Sequence, residues 1–146
     1  MYKAFIEIPK GDDRRRHMKF DKSGLIDLGP IKDVIPVNDG VMPVHYGYIL
    51  DTLNTEENPP EELDVLIFSD KDYSVSDIVD IKPIALIERE DKDHKIAAVD
   101  LDSEKTWEDI NETEKELIKD YFGYKSKITS ITGQDTAIKL IKKFKI

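Results

Sequence analysis

Apolar positions in the first ninety residues come in short runs, broken at close intervals by turn residues. Lys3 to Ile8 is followed by Pro9-Lys10-Gly11-Asp12-Asp13, Met18 to Phe20 by Asp21-Lys22-Ser23-Gly24, and Val34 to Val37 by Asn38-Asp39-Gly40. Each run predicts a strand and each break a turn. Leu63 to Phe68, Ile81 to Glu88 and Ile96 to Val99 predict three more strands. Prolines 30, 36, 43, 59, 60 and 83 fall near strand starts or in connections, where no ladder donor is lost. Such spacing predicts a barrel or a sandwich.

After residue 105 the period lengthens. Thr113-Glu114-Lys115-Glu116 has the form of a capping box, the threonine oxygen satisfying an early amide and Glu116 reaching back, ahead of Leu117, Ile118, Tyr121 and Phe122 on one face. A second helix is predicted from Asp135 or Thr136. Ala137, Ile138, Ile141 and Phe144 form its buried side, and lysines 139, 142, 143 and 145 lie on the other flanks, toward the negative end of the dipole. A β-rich body followed by helices makes the class α+β. No internal repeat, low-complexity segment or long interior linker divides the chain, so residues 1–146 are expected to form one domain.

At 146 residues one core is expected, and 39% hydrophobic with 36% charged residues fits a globular protein with a densely charged surface. The longest apolar runs, such as Val65 to Phe68 and Ile84 to Ile87, are far shorter than the roughly 20 residues of a membrane span. Met1 to Glu7 reads as a strand and not as a signal segment, so a cytoplasmic location is expected. Zero cysteines exclude disulfides, thiolate metal sites and a cysteine nucleophile, which leaves carboxylates and three histidines as metal ligands and points to a hard ion. A formal charge of −9 argues against nucleic acid and anionic lipid as partners. Arg14-Arg15-Arg16-His17 is the one basic patch, and such a cluster by itself reads as a solvated turn between strands.

Phe5-Ile6-Glu7-Ile8-Pro9 resembles the opening strand of the soluble family I inorganic pyrophosphatases. In the same order follow Phe20-Asp21-Lys22-Ser23-Gly24, similar to that family's Y-D-K-x-x-G turn, and Pro43-Val44-His45-Tyr46-Gly47-Tyr48-Ile49, similar to Y-P-x-N-Y-G-F/Y-I. Leu63-Asp64-Val65-Leu66 resembles the end of D-x-D-P-x-D-V-L, Lys82-Pro83-Ile84-Ala85-Leu86 resembles R-P-I-G-V, and Asp93-His94-Lys95-Ile96 resembles D-x-K-hydrophobic. Phe122-Gly123-Tyr124-Lys125 resembles the F-x-x-Y-K near the C-terminal helix, so the likeness covers nearly the whole chain.

The resemblance implies a small closed, OB-like β-barrel with C-terminal helices packed outside, and Mg²⁺-dependent hydrolysis of pyrophosphate to two phosphates. Pyrophosphate is a compact polyanion, and its hydrolysis needs an activated water and charge stabilised on both phosphoryl groups; metal ions held by carboxylates do both. By this resemblance Asp64 and Asp93 are metal ligands and Glu7 lies at the edge of the metal cluster. Tyr46, Lys95, Tyr124 and Lys125 hold the phosphates. The family also commonly forms homo-oligomers.

The chain departs from the family pattern at several positions. Of the aspartate signature only Asp64 remains. Glu61 stands three residues before it, where the family keeps its general base, and the other lost ligand falls to Glu56 or Glu57 in the lengthened Glu56-Glu57-Asn58-Pro59-Pro60-Glu61-Glu62. The M-x-D-E-x-x-x-D-x-K loop is shortened to Glu88-Arg89-Glu90-Asp91-Lys92-Asp93-His94-Lys95, so Glu90 or Asp91 replaces its first aspartate. In Arg16-His17-Met18-Lys19-Phe20-Asp21-Lys22 the phosphate-binding lysine is served by Arg16 or His17, and Lys32 is the nearest counterpart of a missing arginine. Met42 replaces a tyrosine and His45 an asparagine; a lone histidine of this kind is structural more often than a ligand. These edits support a second reading, a catalytically weakened barrel that binds a phosphorylated ligand or a protein partner without efficient turnover. An oligonucleotide-binding barrel, resting on the arginine cluster alone, is disfavoured by the charge.

Overall fold

The computed structural model describes residues 2–146. In chain order its elements are β1 (Tyr2–Ile8), β2 (Arg14–Met18), β3 (Leu25–Pro30), β4 (His45–Ile49), β5 (Asp64–Phe68), β6 (Ile78–Arg89), β7 (Lys95–Asp100), α1 (Glu112–Phe122), β8 (Ile128–Gly133) and α2 (Gln134–Phe144). β1 pairs with β4, β4 with β5, β5 with β7, β7 with β6, and β6 back with β1, so five strands close into a barrel. Only the β5–β7 pairing is parallel. β8 adds a strand along β6, and β2 with β3 forms a separate antiparallel hairpin.

The strands buried on both faces are the ones with unbroken apolar runs, Val65-Leu66-Ile67-Phe68 in β5 and Ile96-Ala97-Ala98-Val99 in β7. Alternate residues serve two cores. Ala4, Ile6, Ile49, Val65, Ile67, Leu86, Ile96 and Ala98, drawn from all five barrel strands, form the interior, to which α2 adds Ala137, Ile141 and Phe144. Leu66, Phe68, Ala97 and Val99 point the other way and are covered by Ile118, Tyr121 and Phe122 of α1. Bulges between Ile6 and Ile8 and between Pro83 and Ala85 bend the end of β1 and the middle of β6. At Gly47 the β1 and β4 backbones come so close that a Cβ would stand 1.8 Å from the carbonyl oxygen of Phe5.

The α+β class and the closed barrel agree with the expectation from sequence; four local readings are corrected. The arginine cluster is no turn: Arg14–Met18 is strand β2, paired with β3, which the apolar pattern did not predict. Met18 to Phe20 is accordingly the end of a strand and the turn after it. Val34 to Val37 is not a strand; it joins two single helical turns, because Pro36 lacks a donor and Asn38 and Asp39 take left-handed backbone angles (φ 57° and 55°). The cap of α1 is Asn111, whose side-chain oxygen accepts from the amides of Thr113 and Glu114, and not Thr113. Among the described residues no helix is long and apolar enough to cross a membrane.

Candidate active site

The parallel register of β5 and β7 sets Asp64 beside Lys95 at the starts of both strands. Asp93, in the turn just before β7, lies on the side of Lys95, and Tyr46 of β4 reaches the same place. The ammonium of Lys95 donates to Oδ2 of Asp64 at 2.6 Å, to Oδ2 of Asp93 at 3.0 Å and to the hydroxyl of Tyr46 at 2.9 Å. Tyr46 is fixed from behind by stacking on Phe122, with centroids 5.7 Å apart.

Lys95 is 3% exposed. Burial opposes its charge, but Asp64 and Asp93 outweigh burial and hold the ammonium protonated, its pKa above the ordinary value. Burial pushes the Asp64 carboxyl well up, against the pull of Lys95. Burial works against the charge of Asp93 too, but Lys95 and Arg89 hold its carboxyl below the usual range. Tyr46 stays a phenol, its pKa raised by burial and by the acids around it.

More carboxylates surround this cluster. Glu7, 2% exposed, accepts from the amide of Met18 at 2.7 Å, which ties β1 to the β2–β3 hairpin; burial raises its pKa. His17 bridges the hairpin and the long loop, with Nδ1 3.8 Å from Glu7 and Nε2 3.5 Å from Glu61. Glu61 beside it raises the pKa of His17 despite partial burial. Glu57 is pushed up to about 7, first by burial and then by the charges of Asp93 and Glu61, and its Oε2 is buried without a partner.

A cavity of about 230 Å³ opens over these groups, lined by Arg15, Arg16, His17, Tyr46, Arg89, Asp93, Lys95 and Lys125 as well as apolar residues. Its polar wall is mostly basic, which suits a small polyanion. Arg16 is held on Asp12 at 2.6 Å.

Of the residues singled out from sequence, Arg16, Tyr46, Asp93, Lys95 and Lys125 line this cavity; Asp64 stands behind it on Lys95, Glu7 and Glu61 stand beside His17, and the charges of Asp93 and Glu61 act on Glu57. Tyr124 is 54% exposed and lines a neighbouring open groove with Lys119 and Lys125. Glu90 is exposed and turns into another cleft with Glu56, which pairs with Lys143 at 2.6 Å. Asp91 pairs with Arg89 at 3.4 Å, and Lys32 pairs with Asp39 on the open surface at 2.7 Å. His45 is structural: Nδ1 accepts from the amide of Lys10 at 3.0 Å, so Nε2 carries the proton and donates to the carbonyl of Lys71 at 2.9 Å. Sequence reasoning missed Arg15 and Arg89. Neither carried a signal in the pattern: Arg15 stands in an unbroken run of three arginines and Arg89 among acids.

The donors available fit a hard divalent cation. They are all carboxylates, and the buried Oε2 of Glu57 is an acceptor facing other acids, an arrangement that a cation relieves. Among the described residues no three carboxylate or imidazole groups already stand at one ion's distance, because Lys95 spans Asp64 and Asp93.

Comparison with known proteins agrees with this chemistry. The chain is 30% identical to an inorganic pyrophosphatase of Nanoarchaeum equitans over 95% of its length and 92% of that protein's, and 28% identical to one of Thermoplasma volcanium over 93% and 86%. Its fold superposes on crystal structures of inorganic pyrophosphatases from Ehrlichia chaffeensis (TM-score 0.83, 19% identity, 97% of this chain and 91% of that one) and Neisseria gonorrhoeae (0.81, 21%, 97% and 87%). Residues 4–145 match the sequence model of one family, inorganic pyrophosphatase, and the chain belongs to that family.

Proposed function

We propose that this chain hydrolyses inorganic pyrophosphate to two orthophosphates with Mg²⁺ as its divalent ion, the whole chain acting as one domain. The observation that carries the reading is the meeting of Asp64, Asp93 and Lys95 under a cavity walled by Arg15, Arg16, Arg89 and Lys125.

Asp64, Asp93, Glu57 and Glu7 are the residues that would hold the ions, which supply Lewis acidity toward the phosphoryl oxygens and the attacking water. The protein's own groups do the rest. Lys95, Arg16 and Lys125 neutralise phosphate oxygens, Arg16 through a planar fork and the lysines as point charges. Tyr46 presents a hydroxyl kept neutral by its surroundings. Glu61 takes the proton of the attacking water, with His17 at 3.5 Å to steady the carboxylate. Assembly into a homo-oligomer belongs to the same reading, supported by the exposed Phe20, Ile26 and Leu28 of the β2–β3 hairpin; sedimentation at micromolar concentration tests it.

Phosphate release from pyrophosphate and Mg²⁺ tests the activity. The wild-type rate is expected to exceed that of Asp64→Ala by at least ~100-fold, the scale of one displaced group at a reacting centre; equal rates would sink the proposal, and calorimetric binding of pyrophosphate without turnover would favour the weakened barrel.

A further inference from the structure

Arg89 ends β6 at the wall of the active-site cavity, and only 8% of it is exposed. The turn after it is short and heavily tied. The amide of Lys92 donates to the Arg89 carbonyl at 3.2 Å, that of Glu90 to Lys127 at 3.0 Å, that of Asp91 to the hydroxyl of Ser126 at 3.2 Å, and that of Asp93 to Oδ1 of Asp91 at 3.0 Å. These bonds bring both aspartates to one guanidinium, which lies 3.4 Å from Oδ2 of Asp91 and 3.4 Å from Oδ2 of Asp93. Its Nε is buried with no partner at all.

A guanidinium in that position cannot shed its proton, so the two acids share a permanent internal cation. The contacts are longer than the ~2.8 Å of a tight charge-assisted bond. Charge holds the group between the acids, and no close fit locks it. Two carboxylates joined by a tight turn thus meet at a buried positive charge, where the acids by themselves would draw in a cation from solution.

We propose that Arg89 takes the place of one divalent cation between Asp91 and Asp93, so that this site needs one ion fewer than its carboxylates by themselves would bind. Asp91 is thereby a partner of Arg89 and not a metal ligand, while Asp93 keeps its side toward Lys95 for the ions that do bind. The proposal rests on the divalent-ion reading above.

Counting bound Mn²⁺ by calorimetry and electron paramagnetic resonance tests it, with circular dichroism melts to verify folding. Arg89→Gln is expected to bind one more Mn²⁺ per chain than wild type, and Arg89→Gln/Asp91→Asn to return to the wild-type count. Asp91→Asn alone, an exposed substitution that leaves the core untouched, is expected to keep the wild-type count. An unchanged count in a folded Arg89→Gln, or an ion lost in Asp91→Asn, overturns the proposal and leaves the divalent-ion reading standing. No Mn²⁺ bound by wild type or by any of the three variants overturns both.

Discussion

The ammonium of Lys95 lies 2.6 Å from the carboxylate of Asp64, across the parallel register that puts the two residues side by side at the starts of β7 and β5. Breaking a buried pair leaves one uncompensated charge, which typically costs about 3–5 kcal/mol, whereas removing both partners costs much less. Lys95→Met is therefore expected to lower stability by about that amount in EDTA, and Asp64→Asn/Lys95→Met to recover part of it. Urea unfolding of the two single variants and the double variant measures the coupling; strictly additive losses would mean that the pair is not a unit.

Tyr46 separates stability from activity. Its ring packs on Phe122, which phenylalanine preserves, while its hydroxyl meets Lys95 at 2.9 Å. A hydrogen bond from that hydroxyl to a charged phosphate oxygen is worth about 1.5–3 kcal/mol, whereas the Lys95 ammonium keeps Asp64 and Asp93 as partners when the hydroxyl is lost. Tyr46→Phe is expected to reduce kcat/KM by roughly 10- to 100-fold with little change in Tm. A melting point that falls as far as the activity would assign the hydroxyl a structural role.

Gly47, the neighbour of Tyr46, is required by sterics. A Cβ there meets the Phe5 carbonyl oxygen at 1.8 Å, and that oxygen belongs to the strand that closes the barrel on both sides. Relief needs β1 and β4 to part, so Gly47→Ala is expected to cost about 3 kcal/mol or more, at the upper end of over-packing penalties. Thermal melts measure it, and a shift of less than ~2 °C would show that the strands separate freely.

His45 gives stability a dependence on pH. Burial lowers its pKa, and both ring nitrogens are engaged by backbone groups. As pH falls, the unfolded chain's histidine takes up a proton first, near 6.5, while the folded one resists. Its contribution is thus complete above that value and is lost as pH falls from it toward the folded pKa. NMR titration of the His45 ring should give a pKa below 6.5, and the stability advantage of wild type over His45→Gln should shrink as pH falls below 6.5. His17, whose pKa shifts the other way, is present in both proteins and cancels.

The strands legible from sequence are those whose apolar runs the barrel buries. β1, β5, β6 and β7 were visible for that reason. β2 and β3 were not, because a hairpin standing off the barrel has no core to demand alternation, and Arg14-Arg15-Arg16 looks like solvent-facing charge. β8 was not visible either, because its Ile128 and Ile131 stand three residues apart among small polar ones and show no period of two. In the site, Asp64, Asp93 and Lys95 were legible because Leu63-Asp64-Val65-Leu66 and Asp93-His94-Lys95-Ile96 resemble segments of the pyrophosphatase family. Arg89 was hidden among Glu88, Glu90 and Asp91, where only the folded turn shows which charge points inward.

Glu57 should respond in opposite directions with and without metal. Its carboxyl, pushed up to about 7, is charged at pH 8 at a cost set by burial and by Asp93 and Glu61, and one oxygen has no partner. Glu57→Gln removes that charge, so in EDTA at pH 8 the variant is expected to melt above wild type. A divalent ion reverses the ranking if Glu57 helps to hold it. An ion at 100 times its dissociation constant stabilises the folded state by about 2.7 kcal/mol, and Glu57→Gln should gain less than wild type from the same Mg²⁺ concentration. Melting curves of both proteins with EDTA and with a Mg²⁺ series decide it: equal gains would remove Glu57 from the ion-binding set, and a lower melting point for the variant in EDTA would show that its charge is already compensated within the fold.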